Sequence, residues 1–286
     1  MKLNNRVAVI TGANRGLGES IARAFARAGA GLVLSARDGD LMQRVAKDIS
    51  QNAASPVEWI CADVSKAADI DAIRERAVKN FGHVDILVNN AGIYGPIGMF
   101  EDTDWQEWCD ALHINLFGTV AMSRAIVPLM KQQQYGKIIN LSGGGATAPL
   151  PRFTAYAASK AAVVRFTETI AEELKSSHID VNAIAPGALN TRLLDQILEA
   201  GPERAGDDFY RRSIKQRDEG GASLELAAEL AVFLASAESD GISGKLISAV
   251  WDDWRNFPKH RDQIQKSDVF TLRRIVPTDR GLEFQD

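Results

Sequence analysis

Thr11-Gly12-Ala13-Asn14-Arg15-Gly16-Leu17-Gly18 follows the apolar run Val7-Ala8-Val9-Ile10 without a break and leads into a segment of helical period. Glycines let a backbone turn tightly and approach a ligand closely. A helix N-terminus adds free N–H groups and positive potential, which suit a phosphate. A glycine-rich turn alone is weak evidence, since ordinary turns and helix caps use glycine too. A strand before it and a helix after it make it the phosphate-binding element of a dinucleotide site. The spacing is Gly-x3-Gly-x-Gly rather than the commoner Gly-x-Gly-x2-Gly. Gly12, Asn14, Arg15, Gly16, Leu17 and Gly18 are the first candidate cofactor-binding residues.

Working outward, short apolar runs alternate with longer amphipathic segments. Residues 7–11, 32–36, 57–61, 86–89, 137–141, 180–184 and 245–248 read as strands, being short and rich in Val, Ile and Leu. Runs such as Ile86-Leu87-Val88 are apolar on both faces, as strands of a covered parallel sheet are. Residues 17–28, 41–51, 70–81, 105–130, 156–175 and 224–235 carry the helical pattern. Strand–helix alternation repeated in this way implies right-handed crossovers. The expected fold is α/β: a single-domain, doubly wound parallel sheet of Rossmann type with helices on both faces. Residues 201–221, charged and glycine-containing, read as a mobile insertion. From Trp251 the composition shifts to aromatics and alternating charges. Residues 1–250 are therefore expected to form the catalytic domain and residues 251–286 a C-terminal extension.

Composition narrows the function. Lys plus Arg number 33 against 37 Asp plus Glu, a net charge of −4 that lacks the basic excess of nucleic-acid binders. No apolar run approaches the roughly 20 residues of a membrane-spanning helix. The N-terminus lacks a signal-peptide pattern, and the two cysteines, Cys61 and Cys109, are far apart with no metal-ligand spacing. A reducing, cytoplasmic compartment, with neither membrane nor nucleic acid as partner, is the expectation. The four histidines show no metal spacing either, so no metal site is expected.

Tyr156 and Lys160 are four apart in a helical segment and so share a face. A phenol with a pKa near 10 is a poor acid–base group at neutral pH, and a nearby ammonium favours its ionised form. The pair suits general acid–base chemistry on a substrate oxygen.

These residues resemble the short-chain dehydrogenase/reductase family. The resemblance continues through Asp63-Val64 after the third strand, Asn89-Asn90-Ala91-Gly92 at the end of the fourth, Asn115, Tyr156-Ala157-Ala158-Ser159-Lys160, and Pro186-Gly187 with Thr191, in order over about residues 5–250. It implies that Asp63 contacts adenine and that the Asn-Asn-Ala-Gly segment lines the cofactor site. Lys160 would bind the nicotinamide ribose, Asn115 would hold a water linked to Lys160, and Pro186, Gly187 and Thr191 would hold the carboxamide. A homodimer or homotetramer is also implied. At the end of the second strand, where NAD-preferring folds place an acid for the ribose 2′-hydroxyl, the chain has Ala36 followed by Arg37. Arg37 and Arg15 suit a 2′-phosphate, which favours NADP(H) over NAD(H), although Asp38 follows at once.

The family's serine stands thirteen residues before the tyrosine, a position held here by Gly143, with Ser142 one residue earlier. Two alignments compete. Without a gap the hydroxyl is missing; with a one-residue slip, permitted by three consecutive glycines, Ser142 takes the role and completes the set Tyr156, Lys160, Asn115 and Ser142. The leading expectation is an NADP(H)-dependent oxidoreductase interconverting a secondary alcohol and a carbonyl on a small-molecule substrate. The alternatives are an NAD-dependent polyol or sugar-alcohol dehydrogenase and a dinucleotide-binding protein with little or no catalysis. Residues 94–100, 147–153 and 189–221 are expected to contact the substrate, and the extension to fold over the cleft or onto a partner subunit.

Overall fold

A computed structural model describes residues 1–283. The strands are β1 (Val7–Thr11), β2 (Gly31–Ala36), β3 (Val57–Cys61), β4 (Ile86–Asn89), β5 (Gly136–Leu141), β6 (Ile179–Ala185) and β7 (Leu246–Ser248). They form one parallel sheet in the order β3-β2-β1-β4-β5-β6-β7, each located within one or two residues of its expected place. The order reverses between β1 and β4, and the crevice at such a switch point is where doubly wound sheets bind ligands.

The helices are α1 (Gly16–Arg27), α2 (Gly39–Ser50), α3 (Ala67–Phe81), α4 (Trp105–Leu112), α5 (Gly118–Gln133), α6 (Thr154–Leu174), α7 (Arg192–Ala205), α8 (Asp207–Glu219), α9 (Leu224–Ala235) and α10 (Arg261–Gln265). Several begin at a side-chain cap: Asp38 accepts from the Leu41 N–H at α2, Asp104 from Glu107 N–H at α4, and Ser223 from Leu226 N–H at α9. One core packs α1, α2 and α9 on one face of the sheet, through Ile21, Phe25, Met42 and Leu230; a second packs α3, α5 and α6 on the other, through Ile73, Met122 and Ile126.

Two expectations change. The single helix over 105–130 is interrupted by a π-helical turn at His113–Phe117, which carries Asn115; such turns often accompany functional positions. Together Trp105–Gln133 is long and apolar enough by composition to cross a membrane, yet its inner face packs on α3, α6 and the strands β4 and β5 as a core helix does. The expected insertion at 201–221 is instead the end of α7 and the whole of α8. These two helices meet at Gly206, and Arg152 ties the junction down by donating to the Glu203 carbonyl at 2.7 Å.

The extension packs on the domain. Trp254, Phe257 and Ile264 are buried in the first core, with Trp254 against Phe233 and Phe257 against Phe270. The Leu246 N–H at the free edge of β7 donates to the Phe270 carbonyl at 2.8 Å, and Lys245 Nζ donates to the carbonyls of Ser267 and Val269. Further on, Leu272 N–H donates to Glu168 of α6. The extension thus runs over α9, the β7 edge and α6. Among the described residues of the extension, Trp251, 85% exposed, reaches the cleft described next.

Candidate active site

The C-terminal ends of β1 and β4 lie side by side, and Asn90 locks them together. Its backbone N–H donates to Thr11 Oγ1 at 3.1 Å, and its Nδ2 donates to the carbonyls of Thr11 and Gly12 at 3.0 Å. This holds the glycine turn open with no side chains across it. Gly12 has φ +64°, and a Cβ there would lie 2.9 Å from Ala91 Cα; at Gly18 a Cβ would lie 2.2 Å from the Gly12 carbonyl oxygen. Such a cradle of bare backbone at the start of α1 fits a pyrophosphate. Thr191, entering α7, closes on the turn, with its Cγ2 3.3 Å from where a Gly16 Cβ would stand.

At the end of β2, Ala36 and Arg37 line the same cleft. Arg15 Nη2 pairs with Asp38 at 3.4 Å, both side chains about half exposed, while the Asp38 carboxylate also caps α2. Arg37 is exposed, with no carboxylate in ion-pair range among the described residues. Burial pushes the Asp63 carboxyl up, but the Ser65 N–H and hydroxyl, with Arg37 and Lys66 nearby, outweigh it and hold the group below its ordinary value. Asp63 and Val64 both line the cleft.

Deeper in, β4 and β5 are joined by side chains. Asn89 Nδ2 donates to Asn140 Oδ1 at 2.9 Å, Asn140 donates to Thr167 of α6, and Asn89 also donates to Ser123 of α5. Asn115 is clamped on both sides: its Oδ1 accepts from Ile93 N–H at 2.8 Å while its Nδ2 donates to the Ile93 carbonyl and to Ser159 Oγ, each at 2.9 Å. Gly92 lies between Asn115 and Lys160, and its absent side chain leaves room for both.

Tyr156 and Lys160 do share a face of α6, and both are buried. Their electrostatics differ from expectation. Lys160 Nζ donates to the Leu141 carbonyl at 2.7 Å and stands 5.6 Å from the centre of the Tyr156 ring. Burial pulls the Lys160 ammonium down to about 8. Burial, with Tyr94 adding to it, pushes the Tyr156 phenol up rather than down. With the ammonium turned to a carbonyl, desolvation wins, and Tyr156 is held protonated.

The serine question is answered by geometry. A Cβ on Gly143 would lie 2.2 Å from Tyr156 Oη, so Gly143 is the residue facing the hydroxyl. Ser142, the expected donor, is buried; among the described residues its Oγ has no hydrogen-bond partner, Tyr156 included. Its backbone explains why: Ser142 N–H continues the β5–β6 ladder to the Ile184 carbonyl, which fixes the register without a slip.

All of this opens on one cleft of about 1350 Å³. Pro186 and Gly187 line it from the loop after β6. Beside Tyr156 its wall is apolar, made by Tyr94, Leu150, Leu194, Ile197 and Phe209. Residue-level signals for this wall were weak in the sequence. The spacing of Phe209, Arg212, Ser213 and Gln216 does put all four on one face of α8, over the cleft. Asn190 and Gln216 exchange hydrogen bonds there, clasping α8 to the loop before α7.

The profile of the short chain dehydrogenase family matches residues 6–201. This protein is a short-chain dehydrogenase/reductase. It is 33% identical over 245 residues to "Dehydrogenase/reductase SDR family member 4" of Sus scrofa, covering 86% of each chain. It is 31% identical over 247 residues to a 3-oxoacyl-[acyl-carrier-protein] reductase of Thermotoga maritima, covering 86% of this chain and 97% of that one. Among solved structures, levodione reductase superposes with a TM-score of 0.79 at 27% identity, covering 86% of this short-chain dehydrogenase/reductase and 96% of that chain. The chain is therefore an NAD(P)-dependent oxidoreductase of alcohol and carbonyl groups.

Proposed function

We propose that this chain reduces a carbonyl to a secondary alcohol, and catalyses the reverse, with NADP(H) as preferred cofactor and Tyr156 as the acid–base group. The observation that carries the reading is Tyr156 itself. It is a buried phenol kept protonated by desolvation, facing the apolar end of the cleft with Lys160 one turn away. Gly12, Asn14, Arg15, Gly16, Leu17 and Gly18 would hold the pyrophosphate, Asp63 and Val64 the adenine, and Arg37 with Arg15 a 2′-phosphate. Asn89, Asn90, Ala91, Gly92 and Lys160 would frame the ribose of the nicotinamide end, and Pro186, Gly187 and Thr191 the carboxamide. The bound nicotinamide supplies the hydride in reduction and accepts it in oxidation.

In reduction Tyr156 gives its proton to the substrate oxygen, and its raised pKa keeps that proton available at neutral pH. Lys160, with a pKa of about 8, exchanges protons near neutrality, and the Leu141 carbonyl holds its Nζ 5.6 Å from the centre of the Tyr156 ring. Asn115 acts by position, bracing Ile93 and the start of the loop beside Tyr156. The NAD(H) reading is supported by Asp38, whose carboxylate pairs with Arg15 at the ribose end of the cleft; the ratio of KM values for NADPH and NADH decides between them.

The Tyr156→Phe variant tests the mechanism. It is expected to lose about 10³-fold or more in turnover, the scale of a general acid's contribution, while binding NADPH as the parent does. An active phenylalanine variant overturns the assignment. A homodimer or homotetramer is supported by the apolar surface of α4 and the π turn, where Trp105 and Phe117 are 68% and 52% exposed. The free thiols Cys61 and Cys109 suit a reducing, cytoplasmic setting.

A further inference from the structure

A carbonyl oxygen receiving a proton from Tyr156 has a second lone pair, and negative charge gathers on it as the hydride arrives. In this chain the surface opposite Tyr156 Oη is the backbone of Gly143, with no hydroxyl. Ser142 does not supply one, since its Oγ is buried and makes no hydrogen bond to Tyr156. Yet a phenol stands against the same ring. Tyr94 packs edge-on to Tyr156, with ring centres 4.7 Å apart at 67°, and Phe153 holds its other side at 5.2 Å. Among the described residues the Tyr94 hydroxyl has no hydrogen-bond partner, and the residue lines the cleft.

We propose that Tyr94 is the second hydrogen-bond donor to the substrate's carbonyl oxygen, standing in for the side chain that position 143 lacks. This rests on the reading of Tyr156 as proton donor. Three features fit the role. First, the loop is rigid just where Tyr94 begins: both backbone groups of Ile93 are held by Asn115, and Gly95 lies so close to α4 that a Cβ would be 2.7 Å from that of Ala111. A fixed donor needs no reorganisation at the moment of reaction. Second, the Tyr94 and Tyr156 rings are in edge-on contact, centres 4.7 Å apart, and both residues line the same cleft. Third, burial pushes the Tyr94 phenol up to about 12, so its hydroxyl is protonated and able to donate at working pH.

In the reduction, the hydride forms the new C–H bond and the C=O π pair moves onto oxygen. The Tyr156 O–H bond breaks as the new O–H bond forms. Tyr94 keeps its proton throughout, and its hydrogen bond shortens as charge builds on the oxygen. Asn115, which holds both backbone groups of Ile93, is then a positioning residue for Tyr94.

The test compares Tyr94→Phe, Tyr156→Phe and Ser142→Ala in the NADPH-loaded enzyme, on linear and cyclic ketones that include ethyl acetoacetate and cyclohexanone. Tyr94→Phe keeps the aromatic stack, so thermal melting and NADPH affinity are expected to match the parent. Its kcat and kcat/KM are expected to fall together by roughly 10²-fold, the mark of an interaction made only in the transition state. A kcat within about threefold of the parent, a rise in KM alone, or a loss carried by Ser142→Ala instead overturns the Tyr94 assignment while Tyr156→Phe stays inactive. An active Tyr156→Phe, or a parent enzyme that reduces none of the ketones, overturns the underlying reading and this one with it.

Discussion

Lys160 is a buried ammonium without a carboxylate, and replacing it should make the protein more stable while removing its activity. The contrast is Lys137, equally buried, which sits between Asp180 and Asp240 at 2.7 Å from each. Among the described residues Lys160 has no carboxylate partner and donates to the Leu141 carbonyl, and its pKa falls from 10.5 to about 8. That drop corresponds to about 3 kcal/mol of folding free energy lost by keeping the group charged. Lys160→Met preserves most of the volume and forfeits one hydrogen bond, which costs about 1 kcal/mol, so a net gain of about 2 kcal/mol is expected at pH 7. The sign follows from proton counting. Between pH 8 and 10.5 the unfolded chain holds the Lys160 proton and the folded protein releases it, so the penalty is full below pH 8 and fades as pH rises to 10.5. Thermal melting of the cofactor-free proteins should therefore show the variant about 4 °C higher at pH 7 and no higher at pH 10. A variant less stable at pH 7, or a gain that is the same at both pH values, would falsify the claim that an uncompensated charge is buried there.

Three further outcomes follow from other parts of the structure. Arg15→Ala with Arg37→Ala should weaken NADPH binding by about 100-fold or more and leave NADH binding nearly unchanged, since charge-assisted phosphate contacts are worth about 1.5–3 kcal/mol each; equal effects on both cofactors, read by fluorescence titration, reject the 2′-phosphate role. Gly18→Ala places a methyl group 2.2 Å from the Gly12 carbonyl and 2.4 Å from Asn90 Nδ2, so the turn must open and dinucleotide binding should vanish in calorimetry. Trp254→Ala empties a site that is 95% buried against Phe233, and about 3–5 kcal/mol of stability should go with it; a change below about 1 kcal/mol in urea titration would mean that the extension is not part of the core.

The sheet was legible because its signal is local. Runs such as Ile86-Leu87-Val88 can be buried on both faces only as inner strands, and the glycine turn fixed which strand comes first. The residues at strand ends could be placed for the same reason, since register sets where they stand. The apolar half was legible as stretches only: Tyr94, Leu150, Leu194, Ile197 and Phe209 all fall within residues 94–100, 147–153 and 189–221. In Asp207–Glu219 most residues are charged or polar, so no apolar stripe announces α8; the helix forms because Phe209 and Tyr210 reach the cluster around Phe153. The π turn at Asn115 is invisible to a period of 3.6, since one extra residue in a turn leaves composition unchanged. Where the extension packs was not legible, because Trp254, Phe257 and Ile264 follow no single period and pack from irregular turns. The lowered pKa expected for Tyr156 failed on orientation: spacing put Lys160 on the correct face but could not aim its ammonium at the Leu141 carbonyl.

Positions 94 and 143 have to be understood as one unit. Restoring a serine at Gly143 looks like a repair, but its Cβ would stand 2.2 Å from Tyr156 Oη and 3.0 Å from Cζ. Relieving the contact requires the Tyr156 ring to move by about 1 Å, and close-packed surroundings resist such a shift. Tyr94 blocks one direction with its ring centre 4.7 Å away, itself backed by Phe153, which is backed in turn by Phe209 at 4.9 Å. Four aromatic rings in series, Phe209, Phe153, Tyr94 and Tyr156, thus pack from α8 to the site. A bare backbone at 143 and a bulky phenol at 94 are two sides of the same packing solution. On the proposal that Tyr94 donates to the reacting oxygen, that hydrogen bond comes from the loop side of the cleft rather than from the strand side.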